Sequence, residues 1–597
     1  MKSLISLAAF AAFIAAPAMA QTYRDRLPED EVLYFLLPDR FENGDTANDR
    51  GGLTGDRLKT GYDPSSKGFF HGGDLKGLTA RLDYIQALGA TAIWLAPVFK
   101  NKVVQGPAGQ ESAGYHGYWV TDFTQVDPHL GTNADFKAFV DAAHARGMKV
   151  YMDIIANHTA DVIQYRECGA CDYRSRADYP YRRKGGVAGE PVNGGFAGDG
   201  IQTAENFAKL TRPDYAYTPF VPEAEKSVKV PAWLNDPIWY HNRGNSTFAG
   251  ESSTMGDFVG LDDVMTENPR VIAGMIEIFG SWIDRFKVDG FRIDTARHVN
   301  PEFWQAFAPA MLERARANGI PNFHIFGEVA DPDTSALARH TRVDRLPAVL
   351  DFAFALTVNE VVAGKAGTDK LARVFAADPL YEGGEATARR LPTFIGNHDA
   401  GRTATFIREA NPNAGPDELL RRDMLGHAML LLLRGVPTIY SGDEQGFVGD
   451  GGDQDAREDM FPSKVAIYND NRLLGTSKTT AVSNFDVDHP LFREIAALSK
   501  LRLTHPALTR GRQVLRAAGD KPGMFVVSRF DPATGAEIVL AFNTAPTAWT
   551  GAVQVETGSA AFTALAGACP ATPAAPGSLS LSLPAFGYAV CAAGAPE

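Results

Sequence analysis

Residues 286–298 read Phe-Lys-Val-Asp-Gly-Phe-Arg-Ile-Asp-Thr-Ala-Arg-His, and the first half of this stretch alternates apolar and polar residues as a β-strand does. Because side chains on a strand repeat with period two, Arg292 and Asp294 should project together from its end. The guanidinium would then favour the ionised form of the carboxylate. Such a carboxylate suits a nucleophile in covalent catalysis, but by itself the pair fits a structural salt bridge at least as well.

Eight segments of the chain, this one included, have the pattern of buried strands. Helical patterns such as residues 82–88 and 135–146 separate them, which indicates a parallel sheet with helices outside it. Eight such units close into a (β/α)8 TIM barrel, an α/β fold. The predicted strands are Val32–Leu37, Thr91–Leu95, Lys149–Ile154, Lys287–Ile293, Phe323–Phe326, Ala348–Phe352, Pro392–Ile395 and Pro437–Tyr440.

Two regions depart from this alternation. Residues 158–263 are rich in Gly, Pro, Tyr and Asp, and a loop of that length predicts an irregular domain inserted after the third strand. Beyond about residue 509, short alternating segments predict a C-terminal antiparallel β-sandwich. The predicted division is a signal peptide at 1–20, a barrel at 21–157 and 264–508, an inserted domain at 158–263, and a sandwich at 509–597.

The first twenty residues resemble a secretory signal. Lys2 is followed by an apolar run at 4–16 and by small residues that end at Ala20. We expect cleavage near Ala20 and a secreted or periplasmic protein without a membrane span.

Export makes the four cysteines candidates for disulfides, with three possible pairings. We favour the local pairs Cys168–Cys171 and Cys569–Cys591. The alternative for the C-x-x-C segment is a redox motif, but it lacks a thioredoxin-like βαβ context, and a zinc site would need a second such pair.

Composition limits the class of partner. The chain has 597 residues, 45% of them hydrophobic and 22% charged, which is ordinary for a globular enzyme. Its net charge of −13 comes without a compensating basic run, so nucleic acid and anionic membranes are not expected partners. We expect a monomer that acts on a neutral substrate.

Polar residues follow four of the predicted strands, and barrel enzymes keep their chemistry at that end. The segments are Asp153–His158, Arg292–His298, Phe326–Val329 and Ile395–Asp399. In this order, on these strands, they resemble the α-amylase family of retaining glycoside hydrolases (glycoside hydrolase family 13). The resemblance covers most of the mature chain, including the inserted domain and the sandwich.

The resemblance implies a role for each matching residue. Asp294 matches the nucleophile, Glu328 the general acid/base, and Asp399 the aspartate that stabilises the transition state. Arg297 stands where many members have lysine, which keeps the charge but changes the hydrogen-bond geometry. The implied substrate-binding residues are Arg292, His158, His398, Tyr118, His116, Trp119, Arg297 and His298.

The chemistry needs two different carboxyl groups. One must be ionised to attack the anomeric carbon, and the other must hold a proton for the leaving oxygen, which requires a raised pKa. A retaining pair is expected to lie about 5–5.5 Å apart.

Two calcium sites are implied by the resemblance. The first matches the N-terminal calcium loop of cyclodextrin glycosyltransferases and related amylases; from the residues alone, a solvated acidic turn is the alternative, since the EF-hand spacing is absent. The second would lie beside the inserted domain. The implied ligands are Asn43, Asp45, Asn48, Asp49, Gly72 and Asp74 for the first site, and Asn157, Asp263 and the backbone carbonyl of His298 for the second.

Three functions are compatible with these features. The first is an endo-acting α-amylase that cleaves α-1,4 bonds in starch or maltodextrin. The second keeps the chemistry but changes the substrate or acceptor, as in a cyclomaltodextrinase, a maltogenic or pullulan-cleaving enzyme, or a transglycosylase. The third is a non-catalytic glucan-binding protein, which the presence of Asp294, Glu328 and Asp399 disfavours.

Overall fold

The computed structural model describes residues 23–594 and has a sheet of seven parallel strands at its centre. The strands are β1 (Leu33–Leu36), β2 (Ala92–Leu95), β3 (Lys149–Ile154), β4 (Gly290–Ile293), β5 (His324–Gly327), β6 (Pro392–Thr393) and β7 (Val436–Tyr440). Within the sheet they lie in the order β5-β4-β3-β2-β1-β7-β6. Every residue of these strands is buried, as expected when a sheet is covered on both faces.

The prediction of a strand at residues 348–352 is wrong. Only one residue of this segment, Val349, forms a β-bridge, with Gly327. The side chain of Asp351 instead accepts a hydrogen bond from Phe354 N (3.0 Å) and caps the helix Phe352–Val362. The cap starts the helix early and leaves too few extended residues for a strand.

The segment nevertheless closes the ring. Gly327 N donates to Ala348 O (3.0 Å) and Leu350 N donates to Gly327 O (2.9 Å), while Asp351 N donates to Pro392 O (2.9 Å). These bonds join β5 to β6 through the irregular segment. The (β/α)8 fold class is therefore confirmed, with its sixth position held by backbone hydrogen bonds rather than by a full strand.

Helices surround the strands. The helix before β4 begins at Pro269, where the side chain of Asn268 accepts from Arg270 N, and it ends at Lys287 in the left-handed conformation. This ending turns the chain directly into β4. The main helices of the barrel are Leu75–Ala80, Leu82–Ala87, Asn133–Ala145, Pro269–Phe286, Pro301–Ala317, Thr334–Arg342, Phe352–Val362, Asp369–Ala376, Thr403–Ala410, Pro416–Leu432 and Pro490–Thr504.

The region after β3 is mostly irregular and has its own small core, formed by Tyr181, Phe196, Phe207 and Tyr215 among others. Its two ends are joined, because His158–Thr159 pairs antiparallel with Asp262–Asp263. The inserted segment therefore leaves and returns beside the end of β3.

The C-terminal part consists of two antiparallel sheets with apolar side chains between them. One has five strands (Arg512–Ala517, Met524–Phe530, Glu537–Asn543, Phe562–Ala566, Tyr588–Ala593) and the other has two (Trp549–Gln554, Ser578–Leu583). The predicted sandwich is confirmed, and so are both predicted disulfides, Cys168–Cys171 and Cys569–Cys591.

The predicted signal peptide lies outside the described residues. Within residues 23–594, none of the helices has the length and apolar character needed to cross a bilayer. The domain boundaries drawn from the sequence stay predictions.

Candidate active site

Arg292, at the end of β4, is the centre of a buried ionic cluster. Its Nη1 donates to Asp294 Oδ1 (2.9 Å) and to Asp153 Oδ1 (2.8 Å), and its Nη2 lies 2.9 Å from Glu328 Oε1. Three carboxylates from three neighbouring strand ends therefore share one guanidinium. Because the arginine is itself buried, these charge-assisted bonds hold all three carboxylates in defined positions.

The turn after β4 positions Glu328. Thr295 has a left-handed backbone (φ 47°), and its N–H donates to Glu328 Oε2 (3.1 Å). Glu328 follows β5 directly, and its own N–H donates to Ile293 O (2.8 Å). Both carboxylate oxygens of Glu328 thus have a defined partner, one on Arg292 and one on the Thr295 backbone.

Asp399, in the loop after β6, lies close to the cluster around Arg292. Its Oδ2 lies 3.2 Å from His398 Nε2, and its Oδ1 accepts from Arg457 (3.0 Å). The hydroxyl of Tyr118 lies 2.7 Å from His398 Nε2 and donates to Asp153 (3.2 Å). A continuous set of polar contacts therefore joins Asp399 to the Arg292 cluster.

A cavity of about 490 Å³ opens over these groups. All three candidate catalytic carboxylates line it, while Arg292 and His398 are buried behind its wall. The other predicted site residues that line it are His116, Tyr118, Trp119, His158, Arg297 and His298. The structure thus brings the predicted catalytic and substrate-binding residues to one place.

The carboxyl groups differ in their electrostatic surroundings. Burial raises the pKa of Asp294 and of Glu328, and Arg292 opposes the rise in both cases. Burial also raises the pKa of Asp153, to about 7. Since one guanidinium faces three carboxylates, the raised pKa values favour the presence of a carboxylic acid beside a carboxylate in this cluster.

Asp399 behaves differently. Desolvation by the surrounding walls raises its pKa, but His398 and Arg457 outweigh this effect and hold the pKa below its ordinary value. Asp399 is therefore the carboxyl group of the site that is most readily ionised.

The histidines at the site are neutral. Burial lowers the pKa of His158 and of His398 to about 3. A neutral imidazole offers one donor and one acceptor, which suits sugar hydroxyls. His158 also stacks on Phe258 (5.5 Å between ring centroids), which in turn packs edge-on against His298 (5.3 Å).

Arg297 and His298 define one side of the cavity. Arg297 Nη1 donates to Ala330 O (2.6 Å), two residues beyond Glu328. His298 Nδ1 lies 3.0 Å from Ser253 Oγ of the inserted domain. The inserted domain and the loop after β5 thus meet at this side.

Two residues that organise the site, Asp153 and Arg457, were not among those predicted from the sequence. Asp153 was visible at the end of the third strand, but its contacts with Arg292 and with Trp94 Nε1 (3.2 Å) depend on neighbouring strands. Arg457 donates to His398 O (3.0 Å) and to Asp399, and it lies in a loop with no distinctive local pattern. Of the two residues, only Asp153 could have been found from the sequence, because it lies at the end of a predicted strand.

The N-terminal loop collects oxygen donors. Asn43 and Asn48 each have a buried Oδ1 without a partner among the described residues, while their Nδ2 groups donate to Asp49 (2.8 Å) and Asp74 (3.3 Å). At Gly72 (φ 102°) a Cβ would lie 2.7–2.8 Å from Asn43 and Asp49. The loop therefore packs too closely around Gly72 to admit a larger residue, and its unpaired, buried amide oxygens fit a hard cation.

A second set of oxygens lies beside the inserted domain. The Oδ1 of Asn157 is buried and has no partner in the described part of the chain. Asp263 Oδ2 lies 2.6 Å from His241 Nδ1, and His241 Nε2 lies 3.0 Å from Glu267. The orphaned amide fits a cation, but the Asp263 carboxylate is already paired with His241, a residue that was not predicted from the sequence.

Neither set is a cluster of acidic side chains alone. Within residues 23–594, no group of three or more His, Cys, Asp or Glu side chains could hold a metal ion. Any cation bound in these places would therefore depend on amide and backbone oxygens as well as carboxylates.

Comparison with known proteins identifies the relatives of this chain. Residues 35–472 match the model of the alpha amylase catalytic domain. An alpha-amylase from Streptomyces lividans is 50% identical over 511 residues, which are 86% of this chain. A cyclomaltodextrin glucanotransferase from Klebsiella oxytoca is 26% identical over 82% of this chain and 67% of its own length.

A solved structure, an alpha-amylase from Anoxybacillus, has a TM-score of 0.68 and 26% identity and covers 96% of this chain and 99% of its own. The matched region of the Streptomyces lividans relative is only 55% of that protein. The match to the catalytic domain contains Asp294, Glu328 and Asp399. This chain belongs to the α-amylase family of glycoside hydrolases.

Proposed function

We propose that this protein hydrolyses α-1,4-glucosidic bonds within starch and maltodextrins and retains the anomeric configuration. The observation that carries this proposal is the convergence of Asp294, Glu328 and Asp399 on one cavity, with the first two held by the same guanidinium. The Streptomyces lividans alpha-amylase supports the substrate class.

In the first step, an oxygen of Asp294 attacks the anomeric carbon while Glu328 gives its proton to the glycosidic oxygen. The bond between that carbon and the leaving chain breaks, and a covalent glycosyl-enzyme forms. Asp399, held ionised by the guanidinium of Arg457, stabilises the positive charge that develops on the sugar.

In the second step, Glu328, now a carboxylate, takes a proton from a water molecule. The hydroxyl oxygen attacks the same carbon from the opposite side and releases Asp294. Two inversions give net retention. Neutral His158 and Tyr118, which line the cavity, would hold the sugar during both steps, and His398 would support the Tyr118 hydroxyl from behind the wall.

The anomer released from an α-1,4 glucan tests this mechanism. We expect the new reducing end to appear first as the α-anomer and to reach the equilibrium mixture later by mutarotation. Proton NMR during the first minutes of hydrolysis separates the two anomeric protons. Early β-anomer would mean that water attacks directly, which would contradict the role proposed for Asp294.

Transfer to a sugar acceptor is the second candidate function. The similarity to a cyclomaltodextrin glucanotransferase favours it, because water and a sugar hydroxyl would attack the same intermediate. Incubation with starch, cyclodextrin, pullulan and maltotriose, followed by product analysis over time, distinguishes the two. Products longer than the substrate, or cyclic products, would indicate transfer.

We propose that calcium binds in the N-terminal loop, with Asn43, Asp45, Asn48, Asp49, Gly72 and Asp74 around it. The support is the pair of buried amide oxygens, on Asn43 and Asn48, that have no partner among the described residues. We propose a second calcium at Asn157, with Asp263 and the His298 carbonyl, on the support of the orphaned Asn157 oxygen. Calcium supplies a structural link between loops in both places.

Chelation should lower the melting temperature, because a ligand that binds only the folded state stabilises it by mass action. Adding calcium should restore the original value, whereas magnesium, which requires stricter octahedral geometry, should not. Asn43→Ala should reduce the calcium content by one equivalent, as measured by elemental analysis. If active protein contains no calcium and its melting temperature does not change with chelator, both proposed calcium sites are wrong.

We also infer that the protein is exported. The two disulfides support this, since cytosolic thiols are normally kept reduced. Recovery of activity from the periplasm or the medium of a fractionated culture tests it.

A further inference from the structure

A second large cavity, of about 610 Å³, lies on the side of the barrel. It is lined by two helices that pack against each other, Phe352–Val362 and Thr403–Ala410, and by Pro332 in the loop after β5. Residues 353–363, at 1.5 Å per residue, extend along about 15 Å of its wall. The cavity is therefore an elongated groove, long enough for several sugar units.

This groove begins beside the catalytic cavity. Ala330 lines the catalytic cavity and Pro332 lines the groove, and two residues of chain span at most about 7 Å. Arg297 donates to Ala330 O on the same side. In the proposed mechanism Glu328 protonates the leaving chain, and the loop that follows Glu328 therefore lies where that chain would leave the site.

The lining of the groove suits a neutral, amphipathic ligand. Leu356 is 40% exposed, and it contributes an apolar surface together with Phe406. Lys365, Lys370, Glu360 and Glu409 also line the groove, so their formal charges cancel, and Lys370 pairs with Glu360 (2.7 Å). A groove without net charge has no preference for an anion or a cation. A glucan is neutral, and its apolar ring faces suit the leucine and phenylalanine surface while its hydroxyls suit the charged side chains.

We propose that this groove binds the reducing-end part of a long α-glucan chain, beyond the bond that is cleaved. The inference rests on the proposed function, since it assigns the leaving-group side of the same substrate. The groove would raise the affinity for polymeric substrates and would leave short oligosaccharides unaffected, because these cannot reach past Pro332.

Two variants of the full-length protein test the groove. Leu356→Asp places a charge on the apolar wall, and Thr357→Trp fills the space. Leu503→Asp is the matched control, because Leu503 is also an exposed leucine on a barrel helix (37% exposed) and does not line the groove. Melting temperatures identify any variant that is merely destabilised.

We expect both groove variants to lower kcat/KM for amylose about tenfold, which corresponds to about 1.4 kcal/mol of binding, and to leave kcat/KM for maltotriose unchanged. The control should match the parent protein on both substrates. Equal kinetics of the folded groove variants and the parent on amylose would overturn the inference, as would equal losses on amylose and maltotriose.

The outcome separates this inference from the proposed function. If the parent protein hydrolyses amylose and the groove variants do so equally well, only the groove assignment fails. If the parent protein hydrolyses neither substrate, the proposed function fails, and the groove assignment fails with it.

Discussion

Replacing Asp294 with asparagine is expected to lower kcat on maltodextrin about a thousandfold or more, because the covalent step disappears. The amide has nearly the shape of the carboxylate and can still accept from Arg292, so the protein should fold and bind substrate. Steady-state kinetics and a binding titration with a maltooligosaccharide measure the two effects separately.

Asp83→Asn is a suitable control, because the Asp83 side chain is 81% exposed and pairs with Arg146 on the outside of the barrel. It should retain the activity of the parent protein. Near-normal turnover by Asp294→Asn would contradict the nucleophile assignment, whatever the binding titration shows.

Replacing Glu328 with glutamine should affect substrates according to their leaving group. A glucan needs a proton on its leaving oxygen, so we expect a loss of about 10²–10⁴-fold. An activated aryl glycoside needs little protonation, and its glycosylation step should be relatively spared. Single-turnover measurements on both substrates give the comparison, with Glu277→Gln, whose carboxylate is 80% exposed, as the control.

The pH dependence of activity provides a second test of the Glu328→Gln variant. Burial raises the pKa of Glu328, so the parent protein should hold the catalytic proton below that raised pKa and lose activity as the pH rises through it. Glutamine does not titrate, and this alkaline limb should be absent from its profile on the activated substrate. Equal losses on both substrates with an unchanged profile would refute the acid role.

Much of the architecture was predictable because its signals are local. Short apolar runs marked most of the buried strands, and the helical patterns predicted at residues 82–88 and 135–146 correspond to the helices Leu82–Ala87 and Asn133–Ala145. The pairing of Arg292 with Asp294 followed from strand geometry alone and is present at 2.9 Å. Both disulfides join cysteines that are close in sequence, 3 and 22 residues apart, which made the local pairing the natural choice.

The structure at the sixth position of the barrel could not be predicted from local sequence patterns. Residues 348–352 have an apolar pattern suited to a strand, but Asp351 accepts from Phe354 N and from Arg434 Nη1 (2.5 Å), and Arg434 lies 83 residues further along the chain. A contact over that separation leaves no trace in local periodicity. The cap and its distant partner therefore override the strand propensity of the segment.

The sequence by itself determined the alternation of strands and helices outside the sixth position of the barrel, and the identity of the carboxyl groups that follow the strands. Only the tertiary structure decided how those groups interact: Arg292 shared among Asp153, Asp294 and Glu328, and Asp399 held by Arg457 from a separate loop. The physical reason is that strand and helix patterns arise from neighbours in the chain, whereas charge sharing and pKa shifts arise from groups brought together when the barrel closes.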